Sequence, residues 1–248
     1  MWDDTDQDAL DPDEIRAALP TLGFMDVVAY DGCNMGAIEI QALWRGHAQA
    51  LSHSEEFVGL DGLEYEKVIP ALQANPDMSA DELAVVFTES AKGNHEQTWS
   101  AVALDDRWDA LEEAVNDWAI ALTQGLPKNR ANYDKAFRAT RSFWQDPASL
   151  DLYDAAYQIK ILVKDPSIRA KSQAVMDAVN AVMLDEWHVR KYKDVHGIAI
   201  FIPTRLSHLD HPDTTVFDAN YYHSQLDFAK DTRWDEFLAA YLNFTYKQ

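Results

Sequence analysis

A short apolar strand that runs directly into a glycine-bounded turn constrains this chain more than any other feature. Residues 25–30 read as a buried strand, residues 31–36 spell the turn DGCNMG, and a helix is predicted from about 36 to 50. The turn holds Cys33, the one cysteine of the 248 residues. A thiol between a strand and a helix can use the helix N-terminus, which favours a thiolate. The turn at Gly32 also offers backbone donors for an oxyanion. The other interpretation of a lone cysteine is a small buried hydrophobe.

The rest of the chain alternates strands with helices. Further strands are predicted at 98–104 and 196–203, and helices at about 11–20, 65–75, 79–91, 107–123, 130–144, 153–163, 167–185 and 234–241. This alternation indicates a layered α/β fold rather than a helical bundle. Three strands are few for a complete sheet, so we expect a partial sheet within one domain over 1–248.

Composition argues against several classes of partner. Hydrophobic residues make up 47% of the chain, which supports a real core, and the formal net charge is −21. That charge argues against nucleic acids and anionic membranes and favours cationic substrates. No segment has the roughly 20 apolar residues of a membrane-spanning helix. The opening residues MWDD lack the basic start and apolar stretch of a signal peptide.

Several motifs in the same order resemble the clostripain family of cysteine endopeptidases, in the caspase-like clan. The family has a cysteine turn followed by a glutamate, here Cys33 and Glu39, and a serine-acid loop, here residues 54–56. It then has a Gly-Asp-Gly loop and an aromatic residue, similar to residues 60–62 and Tyr65. The apolar strands at 99–104 and 197–203 and the segment 226–238 extend the resemblance over nearly the whole chain.

The resemblance implies a caspase-like α/β/α sandwich with a helical C-terminal region, and an enzyme that cleaves after arginine or lysine. Cys33 would be the nucleophile, Gly32 would lie in the oxyanion turn, and Asp31 and Asp61 would bind the basic side chain in the S1 pocket. A helix cap for Asp31 and an ordinary turn aspartate for Asp61 are the competing interpretations. Leu60 stands where the family has a glycine. No cofactor is implied, except that calcium is possible in the family.

A cysteine nucleophile needs a base, which in this family is a histidine upstream of the cysteine. All eight histidines of this chain follow Cys33. His53 and His196 are the alternative bases, and the spacing of His208 and His211 suits a metal, although a surface pair fits that loop better.

We therefore expect an N-terminally truncated peptidase domain that is inactive alone. Its expected partners are an upstream His-bearing segment, or a light chain of the same protein, and basic peptide substrates. The competing hypothesis is a catalytically dead caspase-like binding or structural domain. Family members are typically exported, so an extracellular or cell-envelope location is the expectation.

Overall fold

The computed structural model describes residues 2–3, 5, 8–9, 11–59, 61–92, 97–143, 146–205, 208 and 219–246. The strands are β1 (Trp2–Asp3), β2 (Asp8–Ala9), β3 (Met25–Ala29), β4 (Ala48–His53), β5 (Thr98–Ala103), β6 (Ser142–Phe143), β7 (Asp146–Asp151), β8 (Met183–His188) and β9 (Ala199–Phe201). The helices are α1 (Pro12–Leu22), α2 (Ile38–Trp44), α3 (Tyr65–Ala74), α4 (Ala80–Ala91), α5 (Asp106–Ala139), α6 (Leu152–Leu162), α7 (Pro166–Val182), α8 (Ala219–Gln225), α9 (Asp227–Asp231) and α10 (Trp234–Leu242).

The main sheet has the strand order β3-β4-β5-β8. The first pair is parallel, with Met25 opposite Ala48, and the other two pairs are antiparallel. Within the part of the chain that the structure describes, β3 is an edge strand that pairs with β4 alone. A second, three-stranded antiparallel sheet has the order β6-β7-β9.

Alternate residues of the central strands pack on different helical layers. Ala50 of β4 and Ala101 of β5 meet Ala84 of α4 on one face, where small side chains let the helix lie close. Leu51 and Val102 point to the other face and join the large core that includes α2, α5, α7 and α10. The mixed sheet thus lies between helices, as the predicted α/β/α architecture requires. Among the described residues, no helix is long and apolar enough to cross a membrane.

Local capping chemistry explains where two of the predicted helices begin. The Ser79 side chain accepts from the Glu82 N–H, and the Glu82 carboxylate accepts from the Ser79 N–H, so the capping box of α4 is complete. Asp11 and Glu14 do the same for α1. The strands predicted at 25–30 and 98–104 and the short helix after Tyr65 are also confirmed.

The predicted helix over 36–50 is wrong in its second half. The helix α2 ends at Trp44, Gly46 adopts a positive φ of 80°, and strand β4 follows. Because β4 is covered on both faces, it has no alternating pattern, and a short apolar run of this kind resembles a buried helix. Strand β8 was missed for a related reason, since its polar residues continue directly from helix α7.

Helix α5 is one continuous helix of 34 residues where the sequence predicts two. Pro127 lies inside it and cannot donate to the carbonyl four residues earlier. Side chains cover neighbouring carbonyls instead: the Tyr133 hydroxyl donates to Leu122 O at 3.1 Å and the Asn129 amide donates to Gly125 O at 3.0 Å. Side chains of the same helix therefore compensate for the local break.

Stacked aromatic rings fasten the C-terminal helix to α5. Trp118 and Trp234 stack with centroids 5.4 Å apart, and Phe137 makes edge contacts with Phe237 and Tyr241. The Trp234 indole N–H donates to Phe201 O of β9 at 3.0 Å. The helical C-terminal region is thereby part of the same core as the sheets.

Replacing Pro127 with alanine tests the continuity of α5. Alanine restores the missing N–H and has the higher helix propensity, so Pro127→Ala should raise the free energy of unfolding by about 1–3 kcal/mol in urea titrations. Pro76→Ala, in the turn between α3 and α4, is the matched control and should lower stability slightly, by about 0.5 kcal/mol. A loss of stability in Pro127→Ala would contradict a continuous helix.

Candidate active site

The carboxyl ends of the parallel strands β3 and β4 lie side by side, and the chain continues to pair beyond both strands. Three N–H groups after β3 donate to carbonyls at the end of β4 and beyond it: Tyr30 to Ser52, within β4, at 2.8 Å, and then Asn34 to Glu56 at 3.0 Å and Gly36 to Ser54 at 2.8 Å. Two loops that follow adjacent parallel strands form a crevice where α/β proteins commonly bind ligands. This pairing brings the cysteine turn against the serine-acid loop.

Cys33 is exposed in this crevice, and its sulfur faces main chain. The Val58 N–H donates to Cys33 Sγ at 3.3 Å. Asn34 has a left-handed φ of 57°, which reverses the chain just after the cysteine. An N–H that points at the sulfur complements negative charge there.

Cys33 does not lie at a helix N-terminus, so that part of the sequence analysis is wrong. Helix α2 begins only at Ile38, because Ala37 is extended and bridges Ala199 of β9. The dipole effect of a helix falls off within its first turn. The Val58 main chain, rather than a helix, therefore supplies the polar contact with the thiol.

Gly32 separates Asp31 from Cys33 in the turn. A Cβ atom at this position would meet Met35 Cγ at 3.7 Å, which is an ordinary contact. Steric crowding therefore does not account for a glycine here, and its assignment to the oxyanion turn stays a prediction.

Asp31 is held by the segment that leads into helix α3. The Leu63 N–H and the Tyr65 hydroxyl both donate to Asp31 Oδ2, at 3.1 and 2.9 Å. The N-cap of α2 is Ala37, without a side-chain cap, so Asp31 is not the cap of that helix. The competing interpretation of Asp31 is thereby excluded.

Asp61 precedes Gly62, whose main chain lies against the Asp31 carboxylate. A Cβ on Gly62 would stand 2.5 Å from Asp31 Oδ2, and Gly62 has a φ of 62°, so both space and conformation require glycine. The structure thus brings the loop that carries exposed Asp61 against Asp31. Leu60, the departure from the family pattern, lies outside the described residues.

A buried carboxyl, Glu55, lies directly beneath the cysteine turn. A Cβ on Gly36 would stand 2.9 Å from Glu55 Cγ and 3.0 Å from His53 Nδ1, so the turn rests on these two side chains. Burial raises the pKa of Glu55 well above its ordinary value, and the negative charges of Asp151 and Glu186 raise it further. A neutral Glu55 carboxyl can donate to Asp151, whereas an ionised one would place two buried negative charges together.

His196 contacts the other member of this pair, Asp151. The main-chain N–H of His196 donates to Asp151 Oδ2 at 2.6 Å, and the ring atom Nδ1 lies 3.2 Å from Asp151 Oδ1. The imidazole ring stacks on Tyr153. Burial lowers the pKa of His196, but the hydrogen bond and charge of Asp151 outweigh burial and the net shift is upward. His196 is therefore engaged with a structural carboxylate.

His53 is a fully buried member of β4, not a loop residue. The Ser100 hydroxyl donates to Gly197 O at 2.8 Å, so the His53 Nδ1–H is the donor to Ser100 Oγ at 3.1 Å. His53 Nε2 then accepts from the Gln41 amide at 3.2 Å. Burial lowers the pKa of His53 to about 4, so the ring is neutral at neutral pH.

None of the histidines that the structure describes hydrogen-bonds Cys33, whose sulfur contacts Val58. His188 pairs with Glu186, His223 with Asp235, and His208 Nε2 accepts from Arg205. His211 lies outside the described residues. The described side chains form no group of three or more His, Cys, Asp or Glu arranged to hold a metal ion.

The sequence reasoning missed Gln41 and Ser100 as parts of this region. Gln41 is fully buried and links the cysteine turn, His53 and the Trp108 indole, whose N–H donates to Gln41 Oε1 at 3.2 Å. Gln41 lies on the apolar stripe of a predicted helix, and Ser100 lies inside a predicted apolar strand. A polar residue at such a position is the signal that could have identified both.

The carboxyl pair beneath the turn predicts a specific pH dependence. Because the folded pKa of Glu55 is raised, its contribution to stability is complete below its unfolded value of about 4.5 and is lost as pH rises through the folded value. Glu55→Gln keeps an N–H donor toward Asp151 but cannot ionise. The free energy of unfolding of Glu55→Gln should therefore fall less steeply with pH above about 4.5 than that of the parent protein. The two slopes should differ by up to about 1.4 kcal/mol per pH unit.

Urea titrations from pH 4.5 to 8 measure this slope. Glu66→Gln, on the exposed first turn of α3, is the matched control and should follow the parent protein. Equal slopes for Glu55→Gln and Glu66→Gln would contradict the assignment of a buried ionisation to Glu55.

Comparisons with known proteins identify the family of this chain. A sequence model of the clostripain family matches residues 1–241. No curated protein sequence matches significantly. A cysteine protease of B. fragilis shares 16% identity at a TM-score of 0.61, covering 94% of this chain and 99% of that one.

Two solved structures from Bacteroides thetaiotaomicron have the same fold. A clostripain in complex with the peptide inhibitor BTN-VLTK-AOMK shares 12% identity at a TM-score of 0.65, covering 94% of this chain and 98% of that one. A secreted C11 cysteine protease in complex with an irreversible peptide inhibitor shares 14% identity at a TM-score of 0.62, covering 91% of this chain and 63% of that one. These likenesses confirm the caspase-like fold, and with the family match they establish that this chain belongs to the clostripain family of cysteine peptidases.

Proposed function

We propose that this chain is the nucleophile-bearing part of an endopeptidase that cleaves after arginine or lysine and works with an upstream His-bearing segment. One observation carries the proposal. The exposed thiol of Cys33 and the carboxylate of Asp31 belong to the same turn, and the loop of Gly62, which also carries Asp61, lies against Asp31. A nucleophile next to paired acidic side chains suits a substrate with a basic residue before the scissile bond.

The chemistry follows from the position of Cys33. Its thiolate attacks the scissile carbonyl carbon, forming a C–S bond and an oxyanion that N–H groups of the Gly32 turn would stabilise. Collapse of this intermediate expels the amine, which takes a proton from the base. Water then hydrolyses the thioester, releases the acid and regenerates the thiol. Asp31 and Asp61 would hold the substrate's basic side chain throughout.

The edge of strand β3 supports a role for the partner segment. Among the described residues β3 pairs on one side only, and the exposed apolar side chains of Leu22 and Phe24 lie at its beginning. An added parallel strand on that edge would end next to the Cys33 turn, because carboxyl ends of parallel strands share one end of a sheet. A histidine at the end of such a strand would stand near the thiol.

The relatives support basic specificity and export as further parts of the proposal. The peptide inhibitor bound to the clostripain of B. thetaiotaomicron, BTN-VLTK-AOMK, has lysine as its last residue. Another relative is described as secreted. We extend both properties to this chain as proposals, with an extracellular or cell-envelope location for the enzyme.

Reconstitution of the active site tests the proposed reaction. Production of this chain with the His-bearing segment encoded upstream should give hydrolysis of a peptide amide with arginine or lysine at the cleavage site. Cys33→Ala should lower turnover by at least about 10³-fold, since the nucleophile is lost. Its thermal unfolding should match that of the parent, because the side chain is exposed.

No hydrolysis from the full-length protein would contradict the proposal. The absence of an upstream histidine would have the same meaning, and both results favour a catalytically dead binding domain. That competing function has its own supporting observation, since the described histidines leave Cys33 without a base.

Neutralising each acidic residue tests the S1 assignment. Asp31→Asn and Asp61→Asn should each lower kcat/KM for a lysine or arginine substrate by about 10- to 100-fold, because a charged partner of the substrate is lost. Asp77→Asn, on the exposed turn before α4, is the matched control and should leave kcat/KM unchanged. A full rate in both site variants would show that the basic side chain binds elsewhere.

A further inference from the structure

The Asp31 carboxylate presents its two oxygens unequally. Oδ2 accepts the Leu63 N–H at 3.1 Å and the Tyr65 hydroxyl at 2.9 Å. A carboxylate oxygen has about two lone-pair sites, so these two donors saturate Oδ2. Oδ1 accepts no hydrogen bond from the residues that the structure describes.

The main chain of Gly62 closes the same side of the carboxylate. A Cβ there would stand 2.5 Å from Oδ2, closer than its 3.1 Å from Oδ1. No substrate group can approach Oδ2 from the direction of this loop. Of the two oxygens, Oδ1 is therefore the one left for a ligand.

Arginine and lysine differ in what they need from such a carboxylate. A guanidinium binds best through two parallel N–H groups that meet both oxygens of one carboxylate. An ammonium is a compact charge that needs only one oxygen of each partner. With Oδ2 occupied, Asp31 suits an ammonium that bridges to Asp61, and it denies a guanidinium the two-oxygen arrangement.

We infer that Tyr65 is a specificity-determining residue which, by occupying Asp31 Oδ2, biases the S1 pocket toward lysine over arginine. The inference rests on the proposed function and adds the choice between the two basic side chains. Tyr65 acts through Asp31 and is a positioning residue. Its ring is 49% exposed, so loss of the hydroxyl leaves no buried cavity.

The hydroxyl of Tyr65 remains a donor across the pH range of a peptidase assay. Burial raises the pKa of Tyr65, and the hydrogen bond and charge of Asp31 raise it further. The hydroxyl therefore keeps the proton that it donates to Asp31 Oδ2. Leu63 alone would leave one lone-pair site of Oδ2 open to a substrate N–H.

Peptide binding to this chain tests the inference without requiring turnover. The probes are acetyl-Leu-Thr-Lys-amide, its arginine counterpart and a norleucine counterpart that lacks the charge, each titrated by NMR. The parent chain should bind the lysine peptide more tightly than the arginine peptide. Tyr65→Phe should shift the ratio of the two Kd values toward arginine by roughly three- to tenfold, because one oxygen site is freed.

Two variants guard against a purely structural effect. Tyr65→Leu also removes the hydroxyl and should shift the ratio in the same direction, while Tyr157→Phe, at an exposed position on α6, should leave it unchanged. General damage to the pocket would weaken both basic peptides equally and would leave the ratio as it was.

The outcomes separate the inference from the proposed function. If both basic peptides bind more tightly than the norleucine peptide and the ratio is unchanged in Tyr65→Phe and Tyr65→Leu, the role of Tyr65 is overturned and the acidic pocket stands. If neither basic peptide binds more tightly than the norleucine peptide, the pocket itself is wrong and the inference falls with it.

Discussion

The main-chain pairing that continues beyond strands β3 and β4 is the constraint on which the site depends. The Asn34 and Gly36 N–H groups bond to carbonyls of the serine-acid loop, and this register brings the Val58 N–H to the sulfur of Cys33. Each such bond contributes only about 1 kcal/mol, but together they determine where the thiol lies. Gly36 makes the pairing possible, because any side chain there would collide with Glu55 and His53.

Beneath this pairing, polar side chains replace the usual apolar core. Gln41, His53 and Ser100 satisfy one another and tie helix α2 to strands β4 and β5. Such a network is stabilising only when every member has its partner, since an unpaired buried polar group costs about 1–3 kcal/mol. The turn above it is therefore held from below as well as from the side.

Much of the fold could be predicted from the sequence where the signals are local. The starts of helices α1 and α4, where the structure shows capping boxes, and the apolar strands β3 and β5 depend on neighbouring residues, and the predictions of these helices and strands were confirmed. Strand β4 depends on contacts far along the chain, and the continuity of α5 depends on a side chain of the same helix that lies 11 positions from the carbonyl it covers. A doubly covered strand shows no alternation, and the donor that covers a carbonyl near Pro127 is a tyrosine hydroxyl.

The cysteine and the acidic residues of the candidate site could be predicted from the sequence, but the contacts between them could not. A lone cysteine after a strand and the acidic residues Asp31 and Asp61 were found from the chain itself and from its family resemblance. Which oxygen of Asp31 is occupied, and which donor faces the thiol, follow from pairing between residues 25 to 34 positions apart. Spacing in the sequence carries no signal for these contacts, so the three-dimensional register alone defines them.

In the described part of the chain, strand β3 is an edge strand, and this edge also bears on how the protein behaves in solution. A row of main-chain donors and acceptors is a template for any extended peptide, including the same strand of a second molecule. Phe24 and Leu22 add an apolar border that such a neighbour would cover. Self-association at this edge would compete with the proposed upstream segment for the same main-chain N–H and C=O groups of β3. Assembly of the active enzyme and aggregation would therefore be mutually exclusive at this strand.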